Sequence, residues 1–100
     1  MKYNKLVRDE IPEYIRKKGG NPIYHIADEA EYLAKLKEKL LEEVKEFNND
    51  ESLNEFADIT EVLDAIARYK KFNQQEIESV RTEKVQERGA FEKRIILDES

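Results

Sequence analysis

The sequence predicts an all-α fold: a helical bundle built on a long antiparallel helix pair, with a minor two-stranded β element, assembled as an oligomer. Three observations lead there. Leu33, Leu36, Leu40, Val44 and Phe47 recur at steps of three and four, and so do Leu53, Phe56, Ile59, Leu63, Ile66 and Ala67, the spacing of one helix face. Between these runs Asn48-Asn49-Asp50 breaks the pattern, and so short a connection makes the two helices antiparallel neighbours. Two brief segments rich in β-branched and aromatic residues supply the β element.

Pro12 suits the first turn of a short helix that runs through Lys18, and Gly19-Gly20 then supplies the permissive conformations that end it. Pro22-Ile23-Tyr24-His25-Ile26 reads as a brief strand. Asp28 followed by Glu31 resembles a capping box and opens the first long helix, of about 20 residues. Ser52 with Glu55 repeats that signal before the second, where Thr60 and Val62 widen the apolar face and predict burial on more than one side. A fourth helix extends from Gln74 to about Glu87 with a weak stripe of Ile77, Val80 and Val85, and stops at Gly89. Arg94-Ile95-Ile96-Leu97 reads as a second strand, able to pair with the first in a ribbon.

One hundred residues fit one domain. Hydrophobic residues are 39% of the chain and charged ones 41%, so the core is thin, and self-association is the usual way for such a chain to bury more surface. With no Cys, a disulfide scaffold, a thiolate zinc site and a cysteine nucleophile are excluded, which fits a reducing cytoplasm. No apolar run reaches the roughly 18 residues of a membrane span, and the charged start is not that of a signal peptide, so neither a membrane nor secretion is expected.

The net charge of −5 argues against a general nucleic-acid binder. Its distribution is more informative. Residues 1–18 carry six basic and three acidic side chains, residues 81–94 five basic and three acidic, while residues 46–64 hold seven acidic and no basic ones. An acidic centre between basic ends is either a solvated helix face or a cation site whose phosphate ligand meets positive groups from both termini.

Within that centre, Glu43 and Glu46 on the first long helix, and Glu55 and Asp58 on the second, stand three apart and share a face in each pair. On a wheel Glu43 falls about 60° from the centre of its apolar stripe. An antiparallel pair brings both flanks together and sets four oxygen donors at the edge of the core. Such a cluster suits a hard cation, Mg²⁺ or Mn²⁺, and needs no His or Cys. The plainer reading stands beside it. With 23 acidic residues in 100, chance alone produces about five acidic pairs at this spacing, Glu55 can serve as the capping partner of Ser52, and Glu43 can pair with Lys39. The absence of Lys and Arg around Glu55 and Asp58 favours the cation.

Glu42-Glu43-Val44-Lys45-Glu46 and Glu55-Phe56-Ala57-Asp58 resemble the ExxE and ExxD motifs of the all-α nucleoside triphosphate pyrophosphohydrolases, the MazG-like superfamily. Three further stretches resemble its phosphoribosyl-ATP pyrophosphohydrolase-like branch: Tyr3-Asn4-Lys5-Leu6-Val7-Arg8-Asp9 leading into Ile11-Pro12-Glu13, Lys39-Leu40-Leu41-Glu42-Glu43, and Arg88-Gly89-Ala90-Phe91-Glu92-Lys93. The resemblance touches most of the chain. It implies a helical oligomer, a dimer or tetramer, that uses Mg²⁺ to hydrolyse a nucleoside triphosphate to its monophosphate and pyrophosphate. Glu43, Glu46, Glu55 and Asp58 would be the metal ligands and the catalytic carboxylates. The sequence departs from the pattern in the eight residues between Glu46 and Glu55, fewer than in many members, in Glu10 where the branch often has Lys, and in Ala90 where Gly is frequent.

Such a reaction requires shielding of phosphate charge, a positioned water and stabilisation of the departing pyrophosphate. Lys5, Arg8, Arg88 and Lys93 are candidates for phosphate contacts, and Glu46 for orienting or deprotonating the water. Tyr3 or Phe91 is a candidate to stack on the base, and His25 reads as structural. House-cleaning of non-standard nucleotides is the expected role. The alternatives are phosphoribosyl-ATP hydrolysis, and a non-enzymatic helical protein that keeps the fold and acts through its oligomer surface.

Overall fold

The computed structural model describes residues 4–100, which contain four helices and no β-strand: α1 (Ile11–Lys17), α2 (Glu29–Asn49), α3 (Leu53–Lys70) and α4 (Gln74–Arg88). The chain divides into two compact units, residues 1–70 and 71–100.

In the first unit the helix ends are set by local hydrogen bonds. Pro12 lies in the first turn of α1, and Gly19, at φ +89°, takes the left-handed conformation that turns the chain so that the next N–H, that of Gly20, donates to the Ile15 carbonyl at 2.9 Å. Asp28 caps α2 by accepting from the Glu31 N–H at 2.9 Å, and Ser52 Oγ accepts from the Glu55 N–H at 3.2 Å at the start of α3. The Glu31 carboxylate engages His25 Nε2 at 2.8 Å, so that histidine is an exposed surface partner.

The antiparallel pairing of α2 and α3 is read directly from their ends. Tyr32 in the first turn of α2 meets Tyr69 in the last turn of α3 edge-on at 5.6 Å, and the Tyr69 hydroxyl donates to the Glu29 carbonyl at 3.3 Å. At the other end Phe47 of α2 meets Phe56 of α3 at 6.2 Å. Between these aromatic clasps the core is small: Leu36 at 1% exposure, with Val62 and Ala67. Leu36 and Glu43 are seven residues apart, two turns of helix, and therefore face the same way; so do Glu55, Val62 and Tyr69. The seam thus runs along Leu36, Leu40, Glu43 and Phe47 on α2 and Glu55, Asp58, Val62 and Tyr69 on α3.

This seam is rotated from the stripes expected of the sequence. Val44, Leu53, Phe56 and Leu63 belong to the expected buried faces, yet all four are exposed. The expected burial of α3 on more than one side is not met: Val62 is covered while Leu53, Phe56 and Leu63 are exposed, because α2 is one neighbour and covers one face. On α2, Glu43, expected at the flank of the stripe, is buried.

The two-stranded β element does not form. Residues 22–26 and 94–97 are irregular, and Ile23, Ile26, Ile95, Ile96 and Leu97 are exposed. An isolated pair of short strands is marginal in water, and these segments have no covered apolar face to stabilise one.

In the second unit Asn73 caps α4 by accepting from the N–H groups of Gln75 and Glu76 at 2.7 and 3.3 Å, and Gly89 ends it at φ +82°. None of residues 71–100 is buried, in keeping with the weak stripe read from the sequence. No helix among the described residues is long and apolar enough to cross a membrane.

Candidate metal centre

Where α2 and α3 approach their connecting turn, the seam changes from apolar to acidic. Glu43, Glu55 and Asp58 each present a carboxylate oxygen within 4.8 Å of the others. Glu43 is the most deeply placed, at 8% exposure, and Glu55 and Asp58 are half-buried. Glu55 and Asp58 share a face because they are three apart, and Glu43 comes from the opposing helix. Carboxylates so close repel one another, and burial adds a desolvation cost, so the arrangement calls for positive charge.

The chain supplies part of it. Lys39, one turn before Glu43, places Nζ 3.3 Å from Glu43 and 3.5 Å from Glu42. Arg8 Nη2 donates to Asp58 Oδ1 at 2.7 Å. No ion pair to Glu55 is found among the described residues. Its carboxyl is pushed above the ordinary glutamate range, by desolvation first and then by the charges of Asp58, Glu46, Glu43 and Asp50. Glu42 moves the other way: burial works to raise it, but the hydrogen bond from Lys5, at 3.1 Å, and the charges of Lys39 and Lys5 outweigh that and hold it low.

The donor set consists of carboxylate oxygens alone, with neither nitrogen nor sulfur, and two side-chain cations face three carboxylates. That composition fits a hard divalent ion.

The residues singled out in the sequence separate into three groups. Glu43, Glu55 and Asp58 converge. Glu46 is exposed one turn beyond Glu43, outside that trio, and near enough for its charge to act on Glu55. Lys5 and Arg8 lie on the non-helical arm before α1, paired with Glu42 and Asp58, and the arm is further held by Lys35 Nζ donating to the Asn4 carbonyl at 2.8 Å. Arg88 and Lys93 belong to the second unit and are exposed, as is Phe91. Tyr3 lies outside the described residues. A concavity in the second unit is lined by Arg88 through Ile96, one continuous segment of exposed residues with no buried polar group, and the convergent chemistry lies at the seam.

Lys39 was legible as a partner of Glu43 from its spacing. Arg8 as the counter-ion of Asp58 was not, because no local pattern links residues 50 positions apart.

The fold and the site together define a helical hairpin with an acidic layer in its seam, able to hold a metal ion. No family model, curated protein or solved structure matches the chain.

Proposed function

We propose that this chain is a Mg²⁺-dependent nucleoside triphosphate pyrophosphohydrolase that releases a nucleoside monophosphate and pyrophosphate, clearing non-standard nucleotides in the cytoplasm as a homo-oligomer. The observation that carries the reading is the convergence of Glu43, Glu55 and Asp58 within 4.8 Å in a helix seam. The likeness of their motifs to those of the MazG-like superfamily supplies the reaction. Mn²⁺ is the alternative ion.

In this reading Glu43, Glu55 and Asp58 hold the ion, which shields phosphate charge and acidifies water when bound. Glu46, exposed one turn beyond Glu43, orients the attacking water and takes its proton. The water oxygen bonds to the α-phosphorus, the bond from that phosphorus to the bridging oxygen breaks, and pyrophosphate leaves with the electron pair. Lys5 and Arg8, on the arm beside the acidic layer, neutralise the phosphates.

The test is product analysis of the purified chain with Mg²⁺ and a panel of standard, deoxy and modified triphosphates beside phosphoribosyl-ATP. Monophosphate plus pyrophosphate from the modified triphosphates is expected. Activity confined to phosphoribosyl-ATP would replace the house-cleaning role, and diphosphate plus phosphate would move the cleaved bond.

A second reading, a helical interaction protein, is favoured by the exposure of Leu53, Phe56 and Leu63 along α3. Folded protein that binds neither Mg²⁺ nor a non-hydrolysable triphosphate supports it.

A further inference from the structure

Resting on the metal-centre reading, we propose that Arg8 is an exchangeable counter-ion: it occupies Asp58 in the metal-free chain and passes to phosphate oxygens of the ligand when a divalent ion enters. The two cations at the acidic layer are unlike. Lys39 is carried by α2, its side chain is 17% exposed, and it is shared between Glu42 and Glu43, so it is fixed in place. Arg8 is carried by the arm that precedes α1, and its side chain is 58% exposed, so it leaves Asp58 without disturbing a helix.

The arm itself stays where it is when Arg8 lets go. Lys5 pairs with Glu42 at 3.1 Å and Lys35 holds the Asn4 carbonyl at 2.8 Å, both on α2. The guanidinium therefore remains beside the layer. A divalent ion held by Glu43, Glu55 and Asp58 would satisfy Asp58 and repel Arg8, while a phosphate on that ion would offer oxygens to the same planar fork. The one contact thereby opposes binding of the bare ion and favours binding of the ion with its anion.

These two effects have opposite signs, which a merely structural ion pair would not produce. Wild type, Arg8→Gln, Arg8→Lys and Asp58→Asn are compared by Mn²⁺ titration followed by electron paramagnetic resonance, and by calorimetry with inorganic tripolyphosphate in excess Mg²⁺. Arg8→Gln is expected to tighten Mn²⁺ about two- to fivefold, the range of an exposed ion pair. It is expected to weaken tripolyphosphate about tenfold, the loss of a hydrogen bond between charged groups. Arg8→Lys lies between wild type and Arg8→Gln in both, and Asp58→Asn weakens Mn²⁺. Unchanged or weaker Mn²⁺ binding by Arg8→Gln, or unchanged or tighter tripolyphosphate binding, overturns the exchange while leaving the metal centre standing. Failure of wild type to bind Mn²⁺ overturns both.

Discussion

Arg8 and Asp58 form the shortest ion pair at the acidic layer, 2.7 Å across 50 positions of sequence, and it ties the N-terminal arm to α3. From Glu46 to Asp64 the chain contains no Lys or Arg, so the neutralising charge at Asp58 comes from a distant segment. What remains after Arg8 and Lys39 are counted is a layer with one carboxylate in excess, and that excess sets the behaviour of the site.

Glu43→Gln and Asp58→Asn are each expected to lower turnover by at least about a hundredfold, the scale seen when one electrostatic group of a catalytic site is removed. Helix content by far-ultraviolet circular dichroism should be unchanged, because neither side chain caps a helix. Activity within about twofold of wild type in either variant contradicts the assigned roles.

The raised Glu55 carboxyl fixes a pH dependence. The folded chain keeps this proton to higher pH than the unfolded chain does, so stability falls as pH rises through the window between the two values, and the penalty is complete above it. Glu55→Gln removes the charge. It is expected to raise the thermal midpoint of the metal-free protein at pH 7 and to change it little below about pH 3, where the carboxyl is protonated in both states. With excess Mn²⁺ the order at pH 7 should reverse, since the ion stabilises the wild-type site more. A lower midpoint for the variant at pH 7 without metal contradicts the repulsion.

Leu36 is the most deeply buried side chain of the hairpin. Leu36→Ala is expected to cost about 2–4 kcal/mol in urea unfolding, because a void in so small a core has little around it to collapse inward. Leu41→Ala, on the exposed side of the same helix, should stay within about 0.5 kcal/mol. Equal losses at the two positions would place the seam on another face.

Leu53, Phe56 and Leu63 lie on one side of α3, exposed to solvent in the single chain. Sedimentation is expected to find a dimer or tetramer, and Leu53→Glu combined with Leu63→Glu to release monomers with their helix content retained. A wild-type monomer at high protein concentration contradicts assembly through this face.

The helices were legible because their signals are local. Asp28 and Ser52 each accept from an N–H three residues ahead, and Gly19 and Gly89 end helices through their own backbone freedom, so no distant contact is needed to place them. The two expected strands are absent for the opposite reason. Ile23, Ile26, Ile95 and Ile96 have the composition of strands, but a strand exists only through a partner and a covered face, and neither is supplied here.

The order and ends of the helices, and the pairing of acidic residues three apart, follow from the chain alone, since backbone hydrogen bonding and helical geometry act over a few residues. Which face of α3 meets α2, the entry of Glu43 into the seam and the arrival of Arg8 at Asp58 were decided only by packing. Several apolar faces compete for burial at similar energy, and a contact between residues 8 and 58 has no periodicity to announce it.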